Sequence, residues 1–356
     1  MSIEKFVVVK GSGGAGLGDR ICGLAVGIAY AQISGRTLFV DWRDRAFQSQ
    51  GDNLFPKLLT VRTVNQCQVL PHTDDVAPPV WQQRLDMEID QVRAIDLRER
   101  GMEWSGAAPK WDRDEAVRRY SIDVRDFTRP ERVVVVWSGA SITALLEQLK
   151  RKGAIASSCT ADAFLGKVVR ESISLHPEIE TRIHRFCLDR FQGRMVLGIH
   201  HRKTEEAAAV RTIPTERQYF DATDRALAKM SSDAAIFLAT DNVDVQDLYA
   251  KRYGSQRVHW TDKWLPESGQ SIHKNADCPD GSLAAKDALM DVGLLARCDR
   301  LVLTGNSSFS SLAGWFSNNP AATRELVFPY SGSVPRRALR MLKRLVGQAI
   351  SSRIST

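Results

Sequence analysis

Apolar residues in this chain fall into short runs that alternate between strand length and helix length. Residues 6–9 form a continuous apolar strand. The stretch 11–18 then holds five glycines, residues 19–35 carry a helical pattern closed by Gly35, and residues 37–42 read as a second strand. Residues 131–137 give another strand of the fully buried, parallel type. Pro177 opens an amphipathic helix over 177–191, which Gly193 ends. A regular series follows: strand 195–200, helix 216–230, strand 235–240, helix 243–253 and strand 257–260. After a polar loop come helix 284–298, strand 300–304, helix 308–316 and strand 326–330. Such alternation predicts two parallel sheets, each covered by helices. The boundary falls near 192–194, giving domains at 1–192 and 193–332 and a basic tail at 333–356. Residues 44–130, with prolines at 56, 71, 78 and 79, are expected to be loops and short helices that build a cleft wall.

The length of 356 residues and a hydrophobic content of 43% suit about two domains with real cores. The net charge of +7 favours anionic partners, but the excess is spread along the chain and does not select among nucleotide, nucleic acid and membrane. Six scattered cysteines have no zinc or redox spacing, and Cys22, Cys187 and Cys298 read as buried thiols. No apolar run reaches the roughly 18 residues of a membrane span, and 6–9 is too short for a signal-peptide core. The expectation is a cytoplasmic protein.

The glycine stretch supports two chemistries. Gly11-Ser12-Gly13-Gly14-Ala15-Gly16 is a literal G-x-G-x-x-G between strand and helix, with Asp41 ending the next strand. That is the context of a dinucleotide site, and it motivates an NAD(P)-dependent oxidoreductase as an alternative. Three strand ends in the second half favour a nucleotide ligand held there instead, since open parallel sheets bind ligands beyond their carboxyl edges. The first is Gly198-Ile199-His200-His201-Arg202-Lys203, where Arg202 offers a fork suited to a diphosphate, or else pairs with a carboxylate. The second ends in Thr240-Asp241; Asp241 could accept the N–H groups of a guanine edge, bind a ribose, or cap the next helix. The third is the helix carrying Asp291, followed by a strand and Gly305-Asn306-Ser307-Ser308. Those serines can hold a phosphate at a helix N-terminus or serve only as caps.

Four blocks, about 16–43, 195–206, 236–241 and 288–308, resemble the NodZ-type nodulation fucosyltransferases of the α-1,6-fucosyltransferase superfamily. The most specific is Gly35-Arg36-Thr37-Leu38-Phe39-Val40-Asp41-Trp42-Arg43. Without a ligand role, Trp42 would be core and Arg43 solvated. The resemblance implies two Rossmann-like domains facing a cleft, the GT-B glycosyltransferase architecture. It implies inverting, metal-independent transfer of fucose from GDP-fucose to a glycan hydroxyl, such as O6 of N-acetylglucosamine in a chitin-like oligosaccharide, with no cofactor. On that reading His200, Arg202, Lys203, Asp241, Asp291, Asn306, Ser307, Ser308, Gly16 and Gly18 bind the donor. Arg202 stabilises the leaving diphosphate, and Glu205, Glu206 and Asp19 compete for general base. Asp19 has a helix N-cap as its plain alternative. Trp81, Trp104 and Trp111 are candidates for stacking on acceptor sugar rings, with packing beneath a loop as the alternative. A non-catalytic sugar-nucleotide-binding protein is the third reading. Nucleic acid is not expected as a partner.

The tail over 335–350 reads as an amphipathic helix with Leu339, Leu342, Val346 and Ile350 on one stripe beside Arg336, Arg337, Arg340, Lys343 and Arg344. It could pack back onto the fold or make a peripheral contact with the inner membrane surface.

Overall fold

A computed structural model describes residues 4–11, 13–48, 51–102, 113–203, 213–266, 271–317, 319 and 322–329. In chain order the first half contains strand β1 (Phe6–Lys10), helix α1 (Leu17–Ser34), β2 (Thr37–Asp41), α2 (Phe55–Leu58), β3 (Leu59–Val61), β4 (Val76–Ala77), α3 (Ile89–Glu99), α4 (Arg113–Tyr120) and β5 (Val133–Trp137). Helices α5 (Ile142–Arg151) and α6 (Ala161–Ser172), strand β6 (Ile173–Leu175) and α7 (Pro177–Phe186) lead into the second half. There β7 (Val196–His201), α8 (Glu216–Leu227), β8 (Ala235–Thr240), α9 (Val243–Tyr253), β9 (Val258–His259), α10 (Gly281–Leu295), β10 (Arg300–Thr304), α11 (Ser308–Phe316) and β11 (Thr323–Val327) follow.

The first sheet has the order β2-β1-β5-β4 and the second β11-β10-β7-β8-β9, with all pairings parallel. This is the doubly wound α/β pattern that the alternation predicts. Valines dominate the central strands β1 and β5 because both faces are covered; Val7, Val8, Val9 and Val133–Val136 are fully buried. Helix α1 ends where expected: Gly35 adopts φ 67°, and its amide donates to the Ala31 carbonyl.

The halves are not separate bodies. One core runs from Val7 and Val9 through α1, α6 and α7 to α10, α11 and the inner face of the second sheet. Helices α6 and α7, which lie before residue 192, pack on α11 and α10. A cross-half contact sets the entry of α1. A Cβ on Gly18 would lie 2.6 Å from the Ser308 backbone, so only glycine allows the two helix starts to touch.

Several local readings change. Residues 44–130 are loops and short helices, as expected; the longest of these, α3 and α4, were not placed beforehand, and β4 extends the first sheet. Charged faces hide these helices from an apolar-periodicity scan. Helices α5 and α6 and the antiparallel β3–β6 pair were not anticipated either. The helix from Pro177 converts at Cys187–Phe191 into a π-helical turn before Gln192 and Gly193 end it with positive φ. Cys298 and Cys278 are buried, but Cys22 and Cys187 are only half-buried, and all six thiols are free. The amphipathic segment 335–350 lies outside the described residues. No described helix is long and apolar enough to cross a membrane.

Candidate active site

The parallel sheets deliver polar residues to their carboxyl edges, and in the second half these residues converge. Strand β7 ends in two histidines that pleat to opposite faces. His200 turns towards α11, with Nδ1 2.7 Å from Ser310 Oγ and its ring 4.9 Å from that of Phe309. His201 turns outward and stacks on Tyr219 at 3.7 Å. Burial pulls both imidazoles down to about 3, assisted by Arg202 for His200 and by Lys203 for His201, so both are neutral near pH 7. Thr304, at the end of β10, ties the edge together. Its hydroxyl donates to the His200 carbonyl at 2.9 Å, accepts from the Arg202 amide at 3.4 Å and lies 2.6 Å from the Tyr219 hydroxyl.

Arg202 leaves this lattice half-buried. Its Nε is shielded from solvent and has no hydrogen-bond partner, and among the described residues no carboxylate lies within ion-pair distance. Among the described residues, then, the expected alternative of a salt-bridged Arg202 finds no carboxylate partner. Lys203 differs: its ammonium pairs with Glu216 at 2.9 Å, while its amide donates to Asp241 Oδ1 at 3.0 Å. Asp241 does not cap α9. Asn242 does that, accepting from the Val245 amide at 3.2 Å. The Asp241 carboxyl is raised above the ordinary value, mainly by burial, against the opposing pull of the Lys203 amide and the Arg202 charge.

Ser307 is the N-cap of α11, accepting from the Ser310 amide at 3.4 Å, as its plain alternative held. Ser308 abuts Gly18, and Asn306 is exposed with φ 60°. Asp291 is buried and engaged: Thr261 donates to it at 2.7 Å, and Lys263 forms a buried ion pair with it. Thr261 and Lys263 were missed. They follow β9, so the strand-end argument applied to the other three strands would have found them in Thr261-Asp262-Lys263-Trp264.

The first sheet presents its edge differently. The glycine turn wraps a carboxylate of its own: Asp44 Oδ2 accepts from the Gly13 amide at 3.2 Å, and Asp44 pairs with the fully buried Arg20. Arg20 in turn lies over the Trp42 ring at 5.6 Å. Trp42 is core, as its plain alternative held. Arg43 is not solvated but grips Asp41 with two contacts of 2.8 Å, and Lys10 takes the same carboxylate at 2.6 Å. Burial disfavours the charged Asp41, yet the Arg43 and Lys10 contacts outweigh it and hold the carboxyl below its ordinary value. A ribose hydroxyl finds no free acceptor there, which removes the main support for a dinucleotide site.

Gly16 is the N-cap residue of α1, without a side-chain cap, and the His273 ring sits over it. Asp19 is therefore not the cap; it lies exposed in the first helical turn, next to the Gly18–Ser308 contact. Beside the turn, Glu88 and Asp90 were also missed. Both carboxyls are raised, chiefly by burial. Asp44 and Asp90 add to the effect at Glu88, while Arg45 and Arg93 oppose it at Asp90. Their sequence context, a charged helix start, carries no distinguishing pattern.

Trp81 corrects an expectation. It is fully buried, its indole donates to the Tyr120 carbonyl at 2.9 Å, and the Lys10 ammonium lies 4.9 Å from its ring. No face is open to a sugar, because a large ring beneath a long connection buries more area than it could expose. Trp104, Trp111, Glu205 and Glu206 lie outside the described residues. In Asp112-Arg113-Asp114, Asp114 is exposed on α4 and Asp112 lies outside the described residues. Among the described residues no group of three His, Cys, Asp or Glu is placed to hold a metal ion.

No family profile matches the chain. Two curated proteins named Nodulation protein Z are similar along most of its length. That of Azorhizobium caulinodans is 24% identical, over 88% of this chain and 88% of its own. That of Bradyrhizobium diazoefficiens is 24% identical, over 89% of this chain and 80% of its own. A solved NodZ α-1,6-fucosyltransferase soaked with GDP-fucose superposes with a TM-score of 0.57 at 22% identity, covering 88% of this chain and 93% of the other. The similarity to NodZ-type proteins thus extends well beyond the four blocks, and the architecture is that of the GT-B fucosyltransferases.

Proposed function

We propose that this chain is a fucosyltransferase that takes fucose from GDP-fucose and passes it to a glycan hydroxyl, with O6 of an N-acetylglucosamine in a chitin-like oligosaccharide as the first acceptor to test. The observation that carries this reading is Arg202: a half-buried guanidinium with no counter-ion among the described residues, at the carboxyl edge of a parallel sheet, in a chain that resembles NodZ-type proteins along most of its length. Such a donor set suits an anion that arrives with the substrate.

The chemistry assigned to the site is inverting displacement. The acceptor oxygen attacks the anomeric carbon as the bond to the β-phosphate breaks, and negative charge grows on the departing GDP. Arg202 meets that charge with fixed donors, so its contribution is largest in the transition state. The Ser308 end of α11 adds backbone amides from the same side. Asp241 accepts from the guanine edge or the ribose, and His200, held neutral, lines the pocket through its Ser310 contact. The acceptor proton goes to a carboxylate: Asp19 is the exposed candidate across the cleft, while Glu205 remains a proposal from the sequence. The reading needs neither cofactor nor metal, because Arg202 supplies the charge. The six free thiols suit a reducing cytoplasm.

A panel of sugar nucleotides, each incubated with and without chitin oligosaccharides and followed by nucleotide release, tests the proposal. GDP-fucose should be turned over fastest and give a fucosylated product. Preferred turnover of a UDP-sugar, or no turnover of any sugar nucleotide, would remove it.

A further inference from the structure

We infer that the back of the molecule carries a second anion site, a cavity of about 430 Å³ between the two halves that takes a small phosphorylated compound. The cavity lies on the amino side of the second sheet. Asp299, directly before β10, lines it and accepts from the amide of Val196 at the start of β7 at 2.8 Å. Strands of this length span about 15–20 Å, so the cavity is separated from Arg202 and Thr304 by the whole sheet. Its walls come from β6 and the end of α6 on one side and from the ends of α10 and α11 on the other.

Charge is what distinguishes this cavity from a packing defect. Three guanidiniums line it, and two carboxylates. Arg297 is spent: it pairs with Glu180 at 2.5 Å and donates to the Gly293 carbonyl at 2.8 Å. Asp299 accepts from the Val196 amide and has no cation at ion-pair distance among the described residues. That leaves Arg62 and Arg170, neither of which has a carboxylate at ion-pair distance among the described residues. Arg62 donates to the Arg170 carbonyl at 2.8 Å, which brings the two side chains to one wall. Arg170 reaches across the halves to the Trp315 carbonyl at 3.5 Å. Carbonyl and amide contacts satisfy hydrogen bonds but do not neutralise charge, so once the Arg297–Glu180 pair cancels, Arg62 and Arg170 outweigh the Asp299 carboxylate by one positive charge. Leu175 and Phe316 supply an apolar floor. Two guanidinium forks over an apolar floor suit a phosphate ester with a compact carbon skeleton. The volume falls within the roughly 300–1,000 Å³ of small-molecule sites. An occupant would touch both halves and so tie them together.

The test uses thermal unfolding of the full chain with millimolar inorganic pyrophosphate, in wild type, Arg202→Ala, Arg62→Glu and the double variant. Arg62 is exposed, so its replacement should leave the fold intact, and an unchanged melting temperature without ligand checks this. Pyrophosphate should raise the melting temperature of Arg202→Ala by about 2 °C or more. That rise should vanish in the double variant, while Arg62→Glu alone keeps the rise contributed by the cleft. If Arg62→Glu fails to fold, Ser174→Trp, which fills the cavity without touching its charges, should abolish the same rise. A rise that disappears in Arg202→Ala, or that survives intact in the double variant, would mean that the cleft alone takes the anion, and the inference would fail.

Discussion

The carboxyl edges of the two sheets meet where Gly18 touches Ser308, and they carry similar residue types, yet they use them in opposite ways. At the first edge the ions face each other: Lys10 and Arg43 share Asp41, and Arg20 pairs with Asp44 inside the glycine turn. At the second edge Arg202 has no counter-ion among the described residues, and its Nε is buried without a partner among them. A buried charge that lacks a protein partner is costly unless something else supplies one. The contrast marks the first edge as structural and suits the second to the ligand-binding role proposed for it, although both sequences would pass as nucleotide motifs. It also explains why a literal dinucleotide fingerprint misleads: the donor and acceptor it needs are already consumed by Asp44, Lys10 and Arg43.

The largest effect should come from breaking the structural edge. Asp44→Ala strands Arg20 in the core and should destabilise the protein by about 3–5 kcal/mol. Urea unfolding measures this, and a loss below about 1 kcal/mol would show that the glycine turn does not depend on the pair. The converse change, Arg202→Ala, should leave the unfolding midpoint nearly unaltered. Fucose transfer should fall by about 10²–10³, roughly 3–4 kcal/mol in the barrier. Arg202→Lys should recover little, because a point charge cannot reproduce a two-pronged contact. Near wild-type turnover in Arg202→Ala would dissolve the contrast between the edges.

Much of this contrast was legible beforehand, and the parts that were not have physical causes. The strand–helix alternation and the four strand-end blocks carry local patterns: apolar runs, glycine turns, and a charged fork after His200. Arg202 and Asp241 were named by that logic, and the structure places both directly after strand ends of the second sheet. Lys263 belongs to the same class and was overlooked because the strand-end argument was not carried to the strand read at 257–260, which the structure places at Val258–His259. Pairing is different. Nothing in the chain near Arg20 reveals that its partner lies 24 residues away, and nothing near Trp81 reveals that Tyr120 takes its indole. Exposure is decided by such long-range partners, so the acceptor role given to Trp81 did not survive.

A smaller effect concerns the two buried histidines that end β7. His200 and His201 are held at about 3 against an unfolded value of 6.5. The folded state therefore refuses protons that the unfolded chain accepts. Their contribution is fully present above pH 6.5 and is lost as pH falls towards 3. Each histidine steepens the loss by at most about 1.4 kcal/mol per pH unit. His201→Phe, which retains a ring against Tyr219, should flatten the stability profile between pH 6.5 and 5 by roughly 1 kcal/mol per unit. An unchanged slope would show that His201 takes up its proton without unfolding. Smaller still, Asp241→Asn should weaken GDP more than UDP, by about 1–2 kcal/mol; equal weakening of both would remove Asp241 from base recognition.

The account stands or falls on which edge holds the nucleotide. Thermal unfolding of wild type and Arg202→Ala with GDP and with NADH asks this directly, since a ligand that binds the native state raises the midpoint. GDP should raise the wild-type midpoint, the rise should be largely lost in Arg202→Ala, and NADH should change neither protein. A rise produced by NADH, or a GDP-induced rise that is the same in both proteins, would contradict the assignment.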